Sequence, residues 1–170
     1  MECGWLAVLA VAAWTIGSLM AGRVRGVTIA VEEMRQVNDE TLEAFKRLIP
    51  QLSRSAKPVD AALLERLVSS EALTLLLARM DGKIIGTLSL AMFPTPTGVR
   101  AWIEDVVVDD AVGRQGAGTA LVNEALRLAR EAGARTVDLT TRPAREAAGR
   151  LYEKAGFHQR DSRVYRYPLE

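Results

Sequence analysis

Three kinds of reactive group gather in the second half of this chain: glycines ahead of a helix, two carboxylates on the strand leading to them, and a tyrosine. From Val106 to Leu121 the sequence reads VVVDDAVGRQGAGTAL. A valine run stops at two aspartates, passes Gly113, Gly116 and Gly118, and turns into an amphipathic helix. Glycines at such a junction let the backbone approach a ligand, and the first helical turn offers unpaired N–H groups at a positive dipole end. Together they make an anion cradle suited to the pyrophosphate of a nucleotide-like cofactor. Glu104 and Asp105 are candidate proton acceptors on the strand before it. Strand alternation puts the two on opposite faces, with Glu104 sharing a face with Val106 and Val108. Tyr152 lies on the apolar face of a later helix with Ala148, Leu151 and Ala155, the usual setting of a core aromatic.

Several phosphate-binding patterns compete for the glycines. A P-loop needs Lys and Ser/Thr directly after its last Gly, whereas Gly118 is followed by Thr119, Ala120 and Leu121. A dinucleotide fingerprint wants a small residue at position 121 and an acidic residue closing a second strand. Here position 121 is Leu, and Asp138 falls inside the strand-like run Thr136 to Thr141. The pattern that fits is strand, R/Q-x-x-G-x-G/A, helix, followed by A-x-x-L-Y-x-x-x-G-F. Ala148, Leu151, Tyr152, Gly156 and Phe157 satisfy its second part in order and spacing.

On these paired motifs the chain resembles the GNAT superfamily of acyl-CoA-dependent N-acetyltransferases, over roughly residues 27 to 168. Two positions depart from the pattern. Gly113 stands where Arg or Gln is usual, with Arg114 and Gln115 just after it, and Arg145 stands where Asn is common. The resemblance implies an α/β fold with a mixed, mostly antiparallel central sheet flanked by helices. It implies acetyl-CoA as co-substrate and no metal. It also implies direct attack by a primary amine, on a small molecule or a peptide, in a ternary complex. Gly116, Ala117, Gly118 and Thr119, with Arg114 and Gln115, would hold the phosphates. The backbone of Val106, Val107 and Val108 would meet the pantetheine arm where the strand splays from its neighbour, and the Val106 N–H would bond the thioester oxygen. Glu104 would be the base and Tyr152 the acid for the leaving thiolate, with Leu151 and Phe157 as packing. Arg142 and Arg145 could reach the adenosine phosphate.

Composition narrows the alternatives. A chain of 170 residues reads as one catalytic domain, 27–170, behind a leader, 1–26, and its net charge of +1 disfavours nucleic acid as a partner. One cysteine, Cys3, and one histidine, His158, make neither a disulfide nor a metal cluster. His158 reads as a strand residue without a catalytic role. No cysteine is placed to form a covalent intermediate. A non-catalytic acyl-CoA-binding module and a membrane-tethered interaction protein of the same fold remain as alternatives, with a dinucleotide-binding oxidoreductase more remote. The oligomeric state is left open, a dimer being compatible with the sequence.

Cys3 to Gly22 carries no charge and is long enough for a membrane helix, and Arg23 and Arg25 after it would leave the domain on the cytoplasmic side. The competing reading makes Met20 the true start. A cleaved signal peptide fits less well, because Glu2 is the sole charge before the apolar run. Either of the first two readings predicts a cytoplasmic domain.

The elements that must position the site follow from periodicity and turn chemistry. Val27 to Met34 alternates as a strand, and Asn38 or Asp39 caps a helix through Leu48 that Pro50 ends from beyond. A second helix spans Val59 to Ser69. Ala72 to Met80 and Lys83 to Met92 flank Asp81-Gly82 as a hairpin, and Pro94 to Gly98 is a loop. Val99 to Val108 is a strand, and Gly116 to Ala132 is the cofactor helix, stopped by Gly133. Arg135 to Thr141 is a strand, and a helix runs from Pro143 to Gly156. Phe157 to Tyr167 is a last strand. The acceptor amine would be read by the two early helices, Pro50 to Pro58 and the Pro94 to Gly98 loop.

Overall fold

The computed structural model describes residues 20–24, 27–113 and 115–169. One six-stranded sheet runs through them, built from β1 (Met20–Val24), β2 (Val27–Glu33), β3 (Leu73–Met80), β4 (Lys83–Thr95), β5 (Gly98–Val108) and β6 (Val137–Leu139), in that spatial order. Neighbours are antiparallel up to β5, and β6 is parallel to β5. A parallel neighbour needs a crossover, and helix α3 (Ala117–Glu131) supplies it. The other helices are α1 (Asp39–Leu52), α2 (Ala61–Val68) and α4 (Glu146–Lys154).

The two faces of the sheet bury separate cores. Leu121, Val122, Ala125 and Ala129 of α3 pack on Leu76, Leu88, Leu90, Ala101 and Ile103, with Leu151 and Tyr152 of α4 at the margin. On the other face Ala44, Phe45 and Leu48 of α1 and Leu64 of α2 cover Leu75, Leu77, Ile84 and Val107.

Local signals account for most boundaries. Asn38 caps α1, its side chain accepting from the Thr41 N–H at 2.9 Å while the Thr41 hydroxyl accepts from the Asn38 N–H. Asp81 and Gly82 both have positive φ, 49° and 79°, which a two-residue hairpin with matching twist requires. Gly133, at φ 70°, follows α3.

Five sequence expectations change. Pro50 lies inside α1, in its last turn, where the helix continues to Leu52 and the Ser53 N–H still reaches the Ile49 carbonyl at 3.0 Å. The Pro94 to Gly98 loop shrinks to a hairpin turn, with Thr95 paired to Gly98. The strand foreseen over Arg135 to Thr141 is reduced to Val137–Leu139. Phe157 to Tyr167 forms no strand, and Val164, Tyr165, Tyr167 and Leu169 stay exposed. Apolar alternation specifies a face, not a partner, and the described sheet stops at β6. Met20–Val24 pairs with β2, so the helix read through Gly22 does not extend over Met20 to Gly22. The rest of that apolar run, residues 1–19, lies outside the described residues, among which no helix is long and apolar enough to cross a membrane.

Candidate active site

β5 and β6, the last two strands of the sheet, part company. Their pairing covers Ala101 to Ile103 against Val137 to Leu139, while β5 continues to Val108. Among the described residues no strand takes up the β6-facing edge of Glu104 to Val108. That open edge leads through Asp109 and a 3-10 turn (Asp110–Val112) into the glycines. Gly113 has φ 71° and Gly116 has φ 89°. Gly116 is the N-cap of α3 and makes no side-chain cap, so the first N–H groups of the helix, from Ala117 to Thr119, have no capping acceptor. A left-handed, uncapped helix start suits a diphosphate: its amides and dipole favour an anion, and a side chain at position 116 would carry left-handed strain.

Not every glycine here serves a ligand. A Cβ on Gly118 would stand 2.7 Å from Leu151 Cδ1, so the missing side chain lets α4 sit against α3. Gln115 is tied locally, its amide donating to the Val112 carbonyl at 2.9 Å. Thr119 is half-buried, Ala117 is buried, and Arg114 lies outside the described residues.

A bulge re-aims the carboxylates. Thr87 pairs with Val107 and Ser89 with Glu104, leaving Asp105 and Val106 opposite Leu88 alone, and Asp105 takes φ 51°. The extra residue reverses the parity foreseen from simple alternation. Val106 and Val108 pack with Ile103 on the α3 side, and Val107 is buried on the α1 side. Glu104 therefore shares its face with Trp102 and Val107, not with Val106 and Val108. Its carboxylate accepts a hydrogen bond from Trp102 Nε1 at 2.7 Å and is otherwise exposed. Trp102 was not anticipated, although its position two residues before Glu104 on the same strand was a usable signal.

Tyr152 is half-buried, edge-on to Phe157 with ring centroids 5.9 Å apart. Burial pushes its hydroxyl above the ordinary tyrosine value of 10.0; the nearby Arg145 cation opposes this, and the Glu104 carboxylate adds to it. Tyr152, Arg145 and Glu104 thus occupy one neighbourhood. Arg145 Nη2 donates to the Leu52 carbonyl at 2.7 Å, bridging the start of α4 to the end of α1. Arg142 is exposed, and its carbonyl accepts from the Arg145 N–H. His158 is exposed and outside any strand. Among the described residues no group of His, Cys, Asp and Glu could hold a metal.

A second cluster absent from the sequence reading ties α1 to the entrance of the cradle. Arg47 donates to Asp109 Oδ2 at 2.9 Å and to the Ile84 carbonyl, while Gln51 accepts from the Asp110 N–H at 2.9 Å. The Ala111 N–H, more than Arg47 and Gln51, holds the Asp109 carboxyl below the usual carboxylate range. The side chains of Arg47 and Gln51 meet Asp109 and Asp110 across 58 to 62 positions of sequence, where no local pattern could link them.

Comparison with known proteins decides the family. The model described as the acetyltransferase (GNAT) family matches residues 34–157. The chain belongs to the GNAT acetyltransferase family. A search of curated proteins returned no match. Solved structures agree with the GNAT fold. A protein of Agrobacterium tumefaciens str. C58, described as an acetyltransferase, is 26% identical with a TM-score of 0.71, covering 79% of this chain and 98% of that one. An aminoglycoside acetyltransferase, meta-AAC0020, from an uncultured soil metagenomic sample is 20% identical with a TM-score of 0.73, covering 84% and 97%. The aminoglycoside N-acetyltransferase AAC(6')-Iy in complex with CoA is 20% identical with a TM-score of 0.70, covering 85% and 97%. The foreseen mixed, mostly antiparallel GNAT sheet flanked by helices is the observed one.

Proposed function

We propose that this GNAT protein transfers acetyl from acetyl-CoA to a primary amine by direct attack within a ternary complex. One observation carries the reading: the unpaired edge of β5 runs straight into an uncapped, left-handed helix start. A diphosphate held by the amides of Gly116 to Thr119 would lay its acyl arm along Val106 to Val108. Acetyl-CoA supplies the activated thioester. The chain's own groups do the rest.

An alkyl amine is mostly protonated at neutral pH, with a reference value near 10, so a proton must leave before the nitrogen can attack. Glu104 is the acceptor for it. The Val106 N–H stabilises the charge that develops on the thioester oxygen, a role typically worth about 10²–10³ in rate. Tyr152, kept protonated by its burial, gives its proton to the departing sulfur. Arg142 and Arg114 remain candidates for phosphate contact, while Arg145 is engaged with Leu52 and Gln115 with Val112.

The acceptor side is bounded by α1, α2 and the turn at Thr95 to Gly98. Free-thiol release from acetyl-CoA against a panel of polyamines, amino sugars, aminoglycosides and peptides tests the reading; aminoglycosides enter the panel because two proteins of similar fold are aminoglycoside acetyltransferases. Amine-dependent release supports transfer. Tight CoA binding with no release for any amine would leave a non-catalytic acyl-CoA-binding module instead. An intact mass of the native protein locates its first residue and so decides between a membrane anchor and a start at Met20.

A further inference from the structure

Glu104 is exposed on a flexible side chain, and a carboxylate in that setting samples several rotamers unless something holds it. Trp102 does hold it. The two residues stand on the same face of β5, and the indole Nε1 donates to Glu104 Oε1 at 2.7 Å. The bulge matters here: had the strand continued regularly past Asp105, Glu104 would have stayed in line with Val106. Trp102 is itself steadied from both sides, paired with Ala91 of β4 and Asp138 of β6 at the last stretch before the strands part. A tryptophan N–H can only donate, and here it engages one of the two carboxylate oxygens. Among the described residues the other oxygen, Oε2, has no hydrogen-bond partner.

We propose that Trp102 is a positioning residue for the acetyl transfer, its indole fixing Glu104 so that Oε2 receives the proton leaving the acceptor nitrogen. The inference rests on the reading of Glu104 as the base, and adds to it a specific requirement on an aromatic donor two residues upstream.

Trp102→Phe keeps a ring in the sheet and removes the donor. With acetyl-CoA and the best amine from the panel, kcat falls about 10-fold, because a base slightly misplaced loses much of its effect. KM for acetyl-CoA stays within roughly twofold, since cofactor binding is not involved. The fall is confined to kcat counted per folded protein, a split that a general loss of folded protein would not produce. Glu104→Gln is run beside it. If that variant keeps a wild-type rate, the base assignment itself fails. If it loses activity while Trp102→Phe retains wild-type kcat, the positioning role alone is overturned. A merely structural tryptophan would lower the melting temperature in Trp102→Phe and leave kcat of the folded protein unchanged, and that result also overturns the role. An independent readout is the emission of Trp102, isolated as the difference between a protein and its Trp102→Phe variant. It differs between the native protein and Glu104→Gln, and identical difference spectra in the two count against the bond.

Discussion

Tyr152 has to arrive at neutral pH with its proton on, and its surroundings see to that. Burial is the largest influence on the hydroxyl and moves it upward, so proton loss occurs above the range of a free tyrosine. The sign carries over to kinetics. If the protonated form is the acid, the high-pH decline of kcat is displaced upward relative to an ordinary tyrosine, and it disappears in Tyr152→Phe. That variant should lose about 10²-fold or more in kcat with KM for acetyl-CoA nearly kept, measured from about pH 7 to about pH 11. The same raised value makes tyrosine burial stabilising below about pH 10, a contribution lost as pH rises through the folded-state value. Gly116 makes a separate point. At φ 89° it accommodates no β-branched side chain without strain. Gly116→Val should abolish CoA binding by calorimetry, and a variant that still binds tightly would remove the cradle from the site.

At the level of elements, the contact between α3 and α4 turns on a single missing methyl. A Cβ at Gly118 would meet Leu151 Cδ1 at 2.7 Å, and Leu151 precedes Tyr152 in the same helix. Gly118→Ala should therefore push the end of the Leu151 side chain aside, a crowding that offsets the roughly 1 kcal/mol alanine gains over glycine inside a helix. Leu151→Ala in the same chain should remove the crowding, and a double-mutant cycle with no coupling in denaturant unfolding would show it is not felt. The glycine pattern thus combines two unlike demands. Position 116 serves a backbone conformation and position 118 serves helix packing. The sequence motif states both letters but not the difference between them.

For the molecule as a whole, the Arg47, Gln51 and Asp109 cluster joins the helix on one face of the sheet to the cradle that begins on the other. The carboxyl of Asp109 is held low, chiefly by the Ala111 N–H and then by Arg47 and Gln51. A folded-state value below the unfolded one means stability that is present above about pH 4 and lost as pH falls through the folded value. Asp109→Asn keeps an oxygen to accept from the Ala111 N–H but should cost about 1 kcal/mol at neutral pH through the lost charge-assisted bond to Arg47. It should also flatten the acid dependence of unfolding and raise KM for acetyl-CoA. A variant whose stability matches that of the wild type at every pH from about 3 to about 7 would detach the cluster from folding. Across the whole fold, CoA should raise the melting temperature while NAD(H) does not, because only a ligand bound by the native state contributes through mass action.

Much of this protein was legible in one dimension because its signals are local. The glycine turn, the Asp81-Gly82 hairpin, the Asn38 cap and the spacing around Tyr152 each depend on a few consecutive residues, and each is met in the structure where the sequence puts it. Whether a strand finds a neighbour is a different kind of fact. Sequence alone could not say that β6 stops at Leu139, that the apolar residues from Val164 to Leu169 stay exposed, or that Asp105 would bulge and take Glu104 out of line with Val106 and Val108. It could not place Arg145 against Leu52 either, 93 positions away. Local conformation follows from sterics and hydrogen bonds within a turn or two. Edge pairing, strand parity after a bulge and long-range clamps depend on which surfaces meet once the two cores close around the sheet.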